Sequence, residues 1–413
     1  MASIAGMISA EARLLMHTHG VSYRAGFLAQ SPLTYLPAAR RTDGQLDHFS
    51  ILDNLAYKLP RYIDRGKIRE LFHNLKNLQF LIPSLFDVNF FKDLPEPALY
   101  RLMLIYALYT HAYFRELLHY ESIDELMRDE SIKILPAQLA IPLWELSKRT
   151  GIAPSLSYCL YALQNPYFSK PDEKVCLENF RPLHTFTGTQ DETWFIAVHQ
   201  YMEYLFAPAI PALLKAYLLS RIPFEDIPPE LMTKYLAVAA KASARTVDVL
   251  ERMREQCDPH TYFDRVRLFY GMPRNVVFEG VEELKNKPQE ILGETGGHTP
   301  LQHFRLMVLG MDHEDIPYFP LMRKHMPAKF RTLVEYVKNS RIREYVLWAH
   351  NHNNEKPARQ YNRLVWSVID HRREHLSLVE DYITTHGETH GTGKPPLEWL
   401  KPLYERTKTY LIW

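Results

Sequence analysis

The chain of 413 residues is poor in cysteine and balanced in charge, and both features exclude classes of protein. Cys159, Cys176 and Cys257 are too few and too scattered for a disulfide framework or a cysteine-based zinc site. They fit a reducing, cytoplasmic compartment. The 49 basic and 48 acidic residues leave a formal net charge of +1 and form no long basic run. We therefore expect no nucleic-acid partner.

Long apolar runs are also missing from the sequence. No stretch of ~18 apolar residues is free of charge, which predicts no membrane-spanning helix and no membrane partner. The N-terminal residues lack a basic segment followed by an apolar run, so we expect no secretory signal peptide. What is abundant is histidine and tyrosine, with 19 and 25 residues. These side chains suit a pocket that binds an aromatic ligand.

Apolar residues recur at helical spacing through most of the chain, and alternating strand-like segments are scarce, which predicts an all-α fold. A polar stretch with proline and glycine at residues 165–191 predicts a domain boundary. We place a small N-terminal capping domain at residues 1–180 and a large helical domain at 181–413. Irregular connections are predicted at residues 31–44 and 134–142. The predicted helices span residues 9–17, 51–75, 97–120, 142–149, 154–163, 192–218, 229–256, 258–270, 301–311, 326–337, 342–350 and 361–386, with a short helix near the C-terminus.

The predicted helix at 361–386 has a histidine on its apolar stripe, at steps of three and four residues. The stripe consists of Val368, Arg372, His375, Val379 and Tyr382. A histidine in such a place is often a packed core residue, but its imidazole can also hold a haem iron from the proximal side. The segment also matches the H-x-x-E-H zinc pattern through His371, Glu374 and His375. That pattern needs a third ligand well downstream, only 38 residues follow, and an all-α chain is the wrong scaffold for it.

A second candidate site lies in the segment 258–270, where Tyr262 and Phe263 stand about one turn before Arg267. An arginine beside aromatic rings is suited to bind the carboxylate of an aromatic amino acid, because the forked guanidinium donates to both oxygens. The alternative is an ordinary amphipathic helix whose arginine pairs with a surface acid.

Two glycine loops occur at residues 295–297 and 391–393. Neither follows a strand, so neither is a nucleotide-binding loop. They either bring the backbone close to a ligand, with the hydroxyls of Thr295 and Thr392 nearby, or form plain turns.

Several segments together resemble the indoleamine 2,3-dioxygenase family, in order and in spacing, through most of the chain. They are LAYKLPRYIDRGKIREL, ILPAQLAIPLWELSKRTGIAPSLSYCLYAL, WFIAVHQYMEYL, DPHTYFDRVRLFYG, HMPAKFRTLVEYVKNSRIREYV, DHRREHLSLVEDYI and HGTGKPPLEWL. The resemblance implies a haem-dependent dioxygenase that cleaves the C2–C3 bond of the indole ring of tryptophan or a related indoleamine. Its product would be of the N-formylkynurenine type.

The resemblance further implies a small domain that caps a large helical domain, with haem b (iron protoporphyrin IX) between the long helices. O2 would be the co-substrate, an electron donor would keep the iron ferrous, and the protein would be a monomer. His375 would be the proximal iron ligand, Arg372 would pair with a haem propionate, and Arg267 would bind the substrate carboxylate. The other implied substrate-binding residues are Tyr158, Phe195, Tyr262, Phe263, Thr295, Gly296, Ile383 and Thr392.

The chain departs from the family at several pocket positions. His199 stands where the family usually has serine, and we expect it to act in catalysis by hydrogen-bonding the indole N–H or the activated oxygen. Tyr161, Tyr262 and Tyr270 replace smaller or less polar residues, residues 298–300 differ, and the helix at 301–311 lacks the family's aspartate. A more polar pocket leaves two alternatives open. One is a biosynthetic haem oxygenase acting on a modified tryptophan, like the pyrrolnitrin-pathway enzyme, and the other is a non-catalytic oxygen-binding protein on this fold.

Overall fold

Helices make up most of the computed structural model, which describes residues 4–29, 48–72, 91–168, 174–311, 313–388 and 396–413. The prediction of an all-α fold is confirmed. The helices of the first part are α1 (Ile4–Thr18), α2 (His48–Tyr57), α3 (Leu59–Asp64), α4 (Glu96–Leu118), α5 (Ile123–Arg128) and α6 (Ala137–Thr150). Those of the second part are α7 (Gln190–Phe206), α8 (Ala209–Leu219), α9 (Pro229–Glu251), α10 (Pro300–Val308), α11 (Tyr318–Arg323), α12 (Ala328–Tyr336), α13 (Ile342–Asn351), α14 (Glu355–Tyr382) and α15 (Pro396–Lys408).

Two pairs of three-residue strands join distant parts of the chain. Strand β1 (Lys133–Leu135) pairs in parallel with β4 (Val276–Phe278), and β2 (Pro166–Phe168) pairs antiparallel with β3 (Phe180–Pro182). Both pairs span the predicted boundary near residue 180, and α1 packs against α8. One hydrophobic core contains residues from both sides of that boundary. The division into a capping and a helical domain stays a prediction.

Prolines explain the main differences from the predicted helices. The helix predicted at 192–218 is divided into α7 and α8 before Ala209, with a bend of 42°. The connector predicted at 134–142 is wrong, because α6 begins at Ala137 and contains Pro142. Burial of Leu139, Leu143 and Leu146 beside α4 outweighs the cost of that proline. The irregular stretch 31–44, residues 73–75 and the glycine loop 391–393 lie outside the described residues.

No single helix of the described chain is long and apolar enough to cross a membrane. The α7–α8 pair reaches that length and composition only when both helices are taken together, across their bend. Most residues of both helices are buried in the core.

The most extensive helix packing in the core is between α9 and α14. The buried face of α9 has small residues at its centre, Ala239, Ala240 and Ser243, which allow the two helix backbones to approach. The Ser243 and Ser367 hydroxyls form a hydrogen bond of 2.7 Å across this contact. Helix α14 begins at an Asn354 cap and runs for 28 residues, so the helix predicted at 361–386 is present, but it starts earlier, at Glu355, and ends at Tyr382. This packing fixes the part of α14 that carries His375.

Candidate active site

Two adjoining cavities lie beside the C-terminal half of α14, between that helix, α7, α9 and the segment before α10. Their volumes are about 770 and 880 Å³, including space open to solvent. The first cavity extends toward α10, α11 and α15, and the second toward the segment 262–270. The side chains that line both cavities are His199, Leu250, Gly296, His375, Trp399 and Leu400. The structure thus brings His199 and His375 together, as the resemblance implied.

His375 is half-buried on α14 and faces both cavities. Burial, with smaller contributions from His199 and Arg372, lowers the pKa of its imidazole to about 4, so the ring is neutral at pH 7. Among the described residues neither ring nitrogen has a hydrogen-bond partner. A neutral imidazole with a lone pair toward an apolar cavity is the form that binds a metal ion.

Arg372 is buried one turn before His375 and lines the first cavity. Its guanidinium donates to the Leu403 carbonyl oxygen at 2.6 Å, to the Thr407 hydroxyl, and to His313 Nε2 at 3.1 Å. Arg372 therefore ties α14 to α15 at the rim of the first cavity. Its expected contact with a propionate stays a prediction.

His199 lies on α7 between the aromatic rings of Tyr158 and Phe195, at centroid distances of 5.6 and 4.6 Å. Its Nδ1 is 2.8 Å from the Phe195 carbonyl oxygen. Because that oxygen can only accept, Nδ1 carries the proton and Nε2 is left as an acceptor. Burial also lowers the pKa of His199, which favours this neutral form.

Arg267 is buried at the second cavity and forms an ion pair with the equally buried Glu388. Burial lowers the pKa of Arg267 to about 10, so it remains charged at pH 7. Glu388 also accepts a hydrogen bond from the backbone N–H of Ile123. The Arg267 guanidinium, which we expected to bind the substrate carboxylate, is therefore paired with a carboxylate of the protein itself. No pattern in the sequence pointed to Glu388.

The predicted helix 258–270 is distorted in the structure. It contains a π-helical turn at Tyr262–Val266 and a tighter turn at Arg267–Phe269. The widened turn changes the spacing of side chains, so that Tyr262, Arg267 and Tyr270 all line the second cavity. Phe263 instead lies beside Arg267, with the guanidinium 5.7 Å from its ring, and stacks on His386.

The remaining predicted substrate residues are divided between the cavities. Tyr158 lines the first, and Phe195, Thr295 and Ile383 line the second. Gly296 lines both. Thr392 lies outside the described residues. None of the substrate or cofactor roles is tested by these positions, and they stay predictions.

Three buried acids near the cavities were missed by the sequence analysis. Glu203, on α7 one turn after His199, accepts hydrogen bonds from Tyr158 at 3.1 Å and from Thr299 at 2.7 Å, and burial raises its pKa to about 7. Glu294 lines the second cavity, and burial raises its pKa to about 8. Glu192 accepts a hydrogen bond from Tyr161 and does not itself line the second cavity. Only Glu203 had a usable signal, its i+4 spacing from His199.

The first cavity suits a metal that brings its own ligands. Within the described ranges, no three histidine, cysteine, aspartate or glutamate side chains are grouped to hold a bare metal ion. His371 accepts a hydrogen bond from Gln302 at 2.9 Å, and Glu374 pairs with Arg254, so the zinc alternative has no ligand set in this part of the chain. A porphyrin supplies four ligands itself and needs one neutral imidazole, apolar walls and a nearby cation for its carboxylates. His375 and Arg372 meet those needs.

Comparisons with known proteins agree over most of the chain. The family model described as Indoleamine 2,3-dioxygenase matches residues 15–401. The indoleamine 2,3-dioxygenase 1 of Rattus norvegicus is 26% identical over 385 residues, which cover 90% of this chain and 85% of the relative. The indoleamine 2,3-dioxygenase of Saccharomyces cerevisiae is 26% identical over 299 residues, covering 67% and 65%. The 6-hydroxytryptophan 2,3-dioxygenase of Fusarium equiseti is 24% identical over 380 residues, covering 89% and 84%.

Proposed function

Because the chain belongs to the indoleamine 2,3-dioxygenase family, we propose that it is a haem-dependent dioxygenase that opens the indole ring of tryptophan or a close derivative between C2 and C3. The product would be of the N-formylkynurenine type. The observation that carries the proposal is that His375 is shared by two adjoining cavities, one suited to a porphyrin and the other containing Arg267.

The cofactor proposed for the first cavity is haem b. His375 would hold its iron, and Arg372 would neutralise a propionate after exchanging one of its present partners on α15. When bound in this cavity, haem would supply a ferrous iron that activates O2. The apolar walls, including Leu250 and Leu400, exclude water from that space.

The second cavity would hold the substrate. Arg267 binds the α-carboxylate, which takes the place of Glu388 on the guanidinium. His199 Nε2 accepts a hydrogen bond from the indole N–H, because its Nδ1–H is already given to Phe195. These two contacts fix the indole ring in position and direction, so the contribution of the protein is chiefly orientation of the reacting C2–C3 bond.

Two further expectations complete the proposal. An electron donor keeps the iron ferrous, and the protein acts as a monomer in the cytoplasm. The three cysteines support a reducing compartment, since they form no disulfide and Cys159 and Cys257 are buried.

A second candidate function is dioxygenation, or another oxygen insertion, on a modified tryptophan. The tyrosines and acids of the second cavity favour it, and one relative is named as a 6-hydroxytryptophan dioxygenase. Mass spectrometry of the product distinguishes ring cleavage, which adds two oxygen atoms, from a rearrangement.

The proposal is tested by absorption spectra of the haem-supplied protein, ferric and reduced with dithionite, with and without tryptophan. We expect a Soret band that shifts on reduction and again when tryptophan binds. In His375→Gly the band should change to that of a weakly held haem, and added imidazole should restore it. His371→Gly, one turn earlier on α14 and also at the first cavity, is the matched control and should keep the parental band. An unaltered spectrum in His375→Gly, or no indole consumption by the reduced wild type under O2, contradicts the proposal.

A further inference from the structure

A chain of hydrogen bonds ends at the wall of the second cavity. The Tyr270 hydroxyl donates to the Tyr161 hydroxyl at 3.0 Å, and Tyr161 in turn donates to Glu192. All three side chains are at most 2% exposed. Of the three, only Tyr270 lines the cavity. Because a buried polar group must be satisfied, the direction of these bonds determines what Tyr270 offers to a ligand.

Glu192 fixes that direction. Its two oxygens also accept from the backbone N–H of Phe186 at 2.8 Å and from the N–H and hydroxyl of Thr187, both at 2.6 Å. Four donors converge on one carboxyl group, so it acts as a pure acceptor and Tyr161 must donate to it. The Tyr161 oxygen then accepts from Tyr270. The Tyr270 hydroxyl proton is given to Tyr161, so toward a ligand in the cavity that Tyr270 lines, its oxygen can only accept a hydrogen bond.

Glu294 is held at the same wall as Tyr270 by contact between their backbones. The Glu294 N–H donates to the Tyr270 carbonyl oxygen at 2.8 Å. A Cβ on the preceding Gly293 would lie 2.2 Å from that oxygen, so only glycine allows this approach. Glu294 is 5% exposed and lines the cavity.

The wall formed by Tyr270 and Glu294 is a polar end of the cavity, distinct from Arg267. Burial raises the pKa of the phenols of Tyr262 and Tyr270, and the Glu294 carboxyl raises both further when it is ionised. Arg267 acts on Tyr262 in the opposite sense. Tyr262 thus lies within reach of both groups, and its ring, together with Phe195 at 4.9 Å, forms an aromatic wall along which an indole can lie.

We infer that Tyr270 and Glu294 select an indole amino acid whose benzene ring carries a hydrogen-bond donor such as a hydroxyl group. The inference rests on the proposed function for the position of the substrate, with its carboxylate at Arg267 and its N–H at His199. A hydroxyl on the substrate ring donates a hydrogen bond to the Tyr270 oxygen, at the polar end of the cavity. Unsubstituted tryptophan would place a C–H edge against the Tyr270 oxygen, which then lacks this additional hydrogen bond.

Discrimination of this kind is strong when a site is built to bond a substrate hydroxyl, because the analogue without it leaves buried groups unpaired. One neutral hydrogen bond corresponds to a change of roughly 10-fold in affinity, and two to roughly 100-fold. We therefore expect the preferred isomer of 5-, 6- or 7-hydroxytryptophan to bind roughly 10- to 100-fold more tightly than tryptophan.

The test measures dissociation constants by calorimetry on the haem-loaded protein, for tryptophan and for each of the three hydroxytryptophans. Tyr270→Phe removes only the phenol oxygen, and we expect the ratio of the dissociation constants of tryptophan and the best isomer to fall to within about 3-fold. Tyr382→Phe is the matched control. Tyr382 lines the same cavity, but its hydroxyl donates to the Cys257 carbonyl oxygen at 2.6 Å, so the preference should survive the loss of that hydroxyl.

Turnover of the same ligands separates this inference from the proposed function. A preference in binding that Tyr270→Phe abolishes supports the inference even if no ligand is consumed, an outcome that would instead contradict the proposed dioxygenase. Equal affinities for tryptophan and all three isomers in the wild type overturn the inference. So does a preference that Tyr270→Phe leaves intact, whatever the turnover.

Discussion

At the scale of single residues, Glu388 affects how Arg267 could bind the carboxylate of a substrate. Arg267 is too deeply buried to be left without a counter-charge, and Glu388 supplies it before any substrate arrives. If Arg267 binds the substrate carboxylate as proposed, the substrate has to displace an internal carboxylate, which would lower its apparent affinity without altering its final contacts. This exchange makes Glu388 a determinant of affinity for amino acids as opposed to amines.

Glu388→Gln should strengthen the binding of tryptophan. A neutral amide competes less well for the guanidinium while it can still accept from the Ile123 N–H, so we expect the dissociation constant to fall by roughly 10-fold. Tryptamine, which has no carboxylate, is the control ligand and should bind both proteins equally. Titration calorimetry checks both values, and an unchanged or weaker affinity for tryptophan would exclude the exchange.

Some residues of the candidate site could be predicted from the sequence and others could not. His375 and Arg267 were identified because they stand in local patterns, a helical stripe and an aromatic–arginine turn. Glu388 and Glu294 stand in no such pattern, since their roles arise from contacts with segments far away in the chain. Residue type and spacing predict which groups face inward, but not which buried charges meet.

At the scale of elements, His111 shows how the fold holds the segment that bears Arg267. His111 lies on α4, and its Nδ1–H donates to the Phe269 carbonyl oxygen at 2.7 Å. Its Nε2 accepts from the Leu156 N–H at 3.0 Å. One neutral imidazole thus bridges α4 to the segments that precede Tyr158 and follow Arg267.

Mild acid should lower the stability of the fold through His111, because the unfolded chain binds a proton at this residue at a higher pH than the folded chain does. Burial lowers the pKa of His111 to about 4, below the unfolded value of 6.5. Its contribution to stability is therefore complete above pH 6.5 and is lost as the pH falls through 4. By linkage, folding is weakened by about 2 kcal/mol at pH 5.

His111→Gln tests this effect, because the amide can make both hydrogen bonds and does not titrate. Urea unfolding at pH 7 and pH 5 should show a smaller loss of stability in the variant than in the wild type. Other buried histidines, such as His184, titrate equally in both proteins and cancel from the comparison. Equal losses of stability between pH 7 and pH 5 in the two proteins would show that His111 does not contribute to destabilisation in acid.

Elements were predicted better than their irregularities. Helices α4 and α14 follow from apolar spacing and α9 from its alanine-rich composition, and the structure bears all three out. The π-helical turns at Cys159–Leu163 and Tyr262–Val266 were not predictable, since tertiary contacts decide where a helix widens. Both turns carry side chains of the candidate site or lie next to them. Predictions from helix spacing and propensity are expected to fail most often at functional sites.

At the scale of the whole molecule, two adjoining cavities inside one hydrophobic core weaken the protein until they are filled. Binding of haem to the folded state alone should raise the unfolding temperature by mass action. At a haem concentration 1,000 times the dissociation constant the gain is about 4 kcal/mol, and we expect a rise of about 5 °C. Differential scanning calorimetry with and without haem measures it.

His375→Gly supplies the matched comparison for that experiment. Its cavities stay available, but the ligand that holds the iron is gone, so added haem should give less than half of the wild-type rise. Equal rises in the two proteins would mean that the stabilising site is elsewhere in the molecule.

The tie between Arg372 and α15 has a consequence for the order of events during biosynthesis. The rim of the first cavity is made by residues near position 400, which leave the ribosome after every other wall has emerged. A nascent chain that lacks α15 can collapse around α9 and α7, but it has no enclosed binding site for a flat prosthetic group. Cofactor loading is therefore a late step, and cells starved of porphyrin should accumulate finished but empty polypeptide.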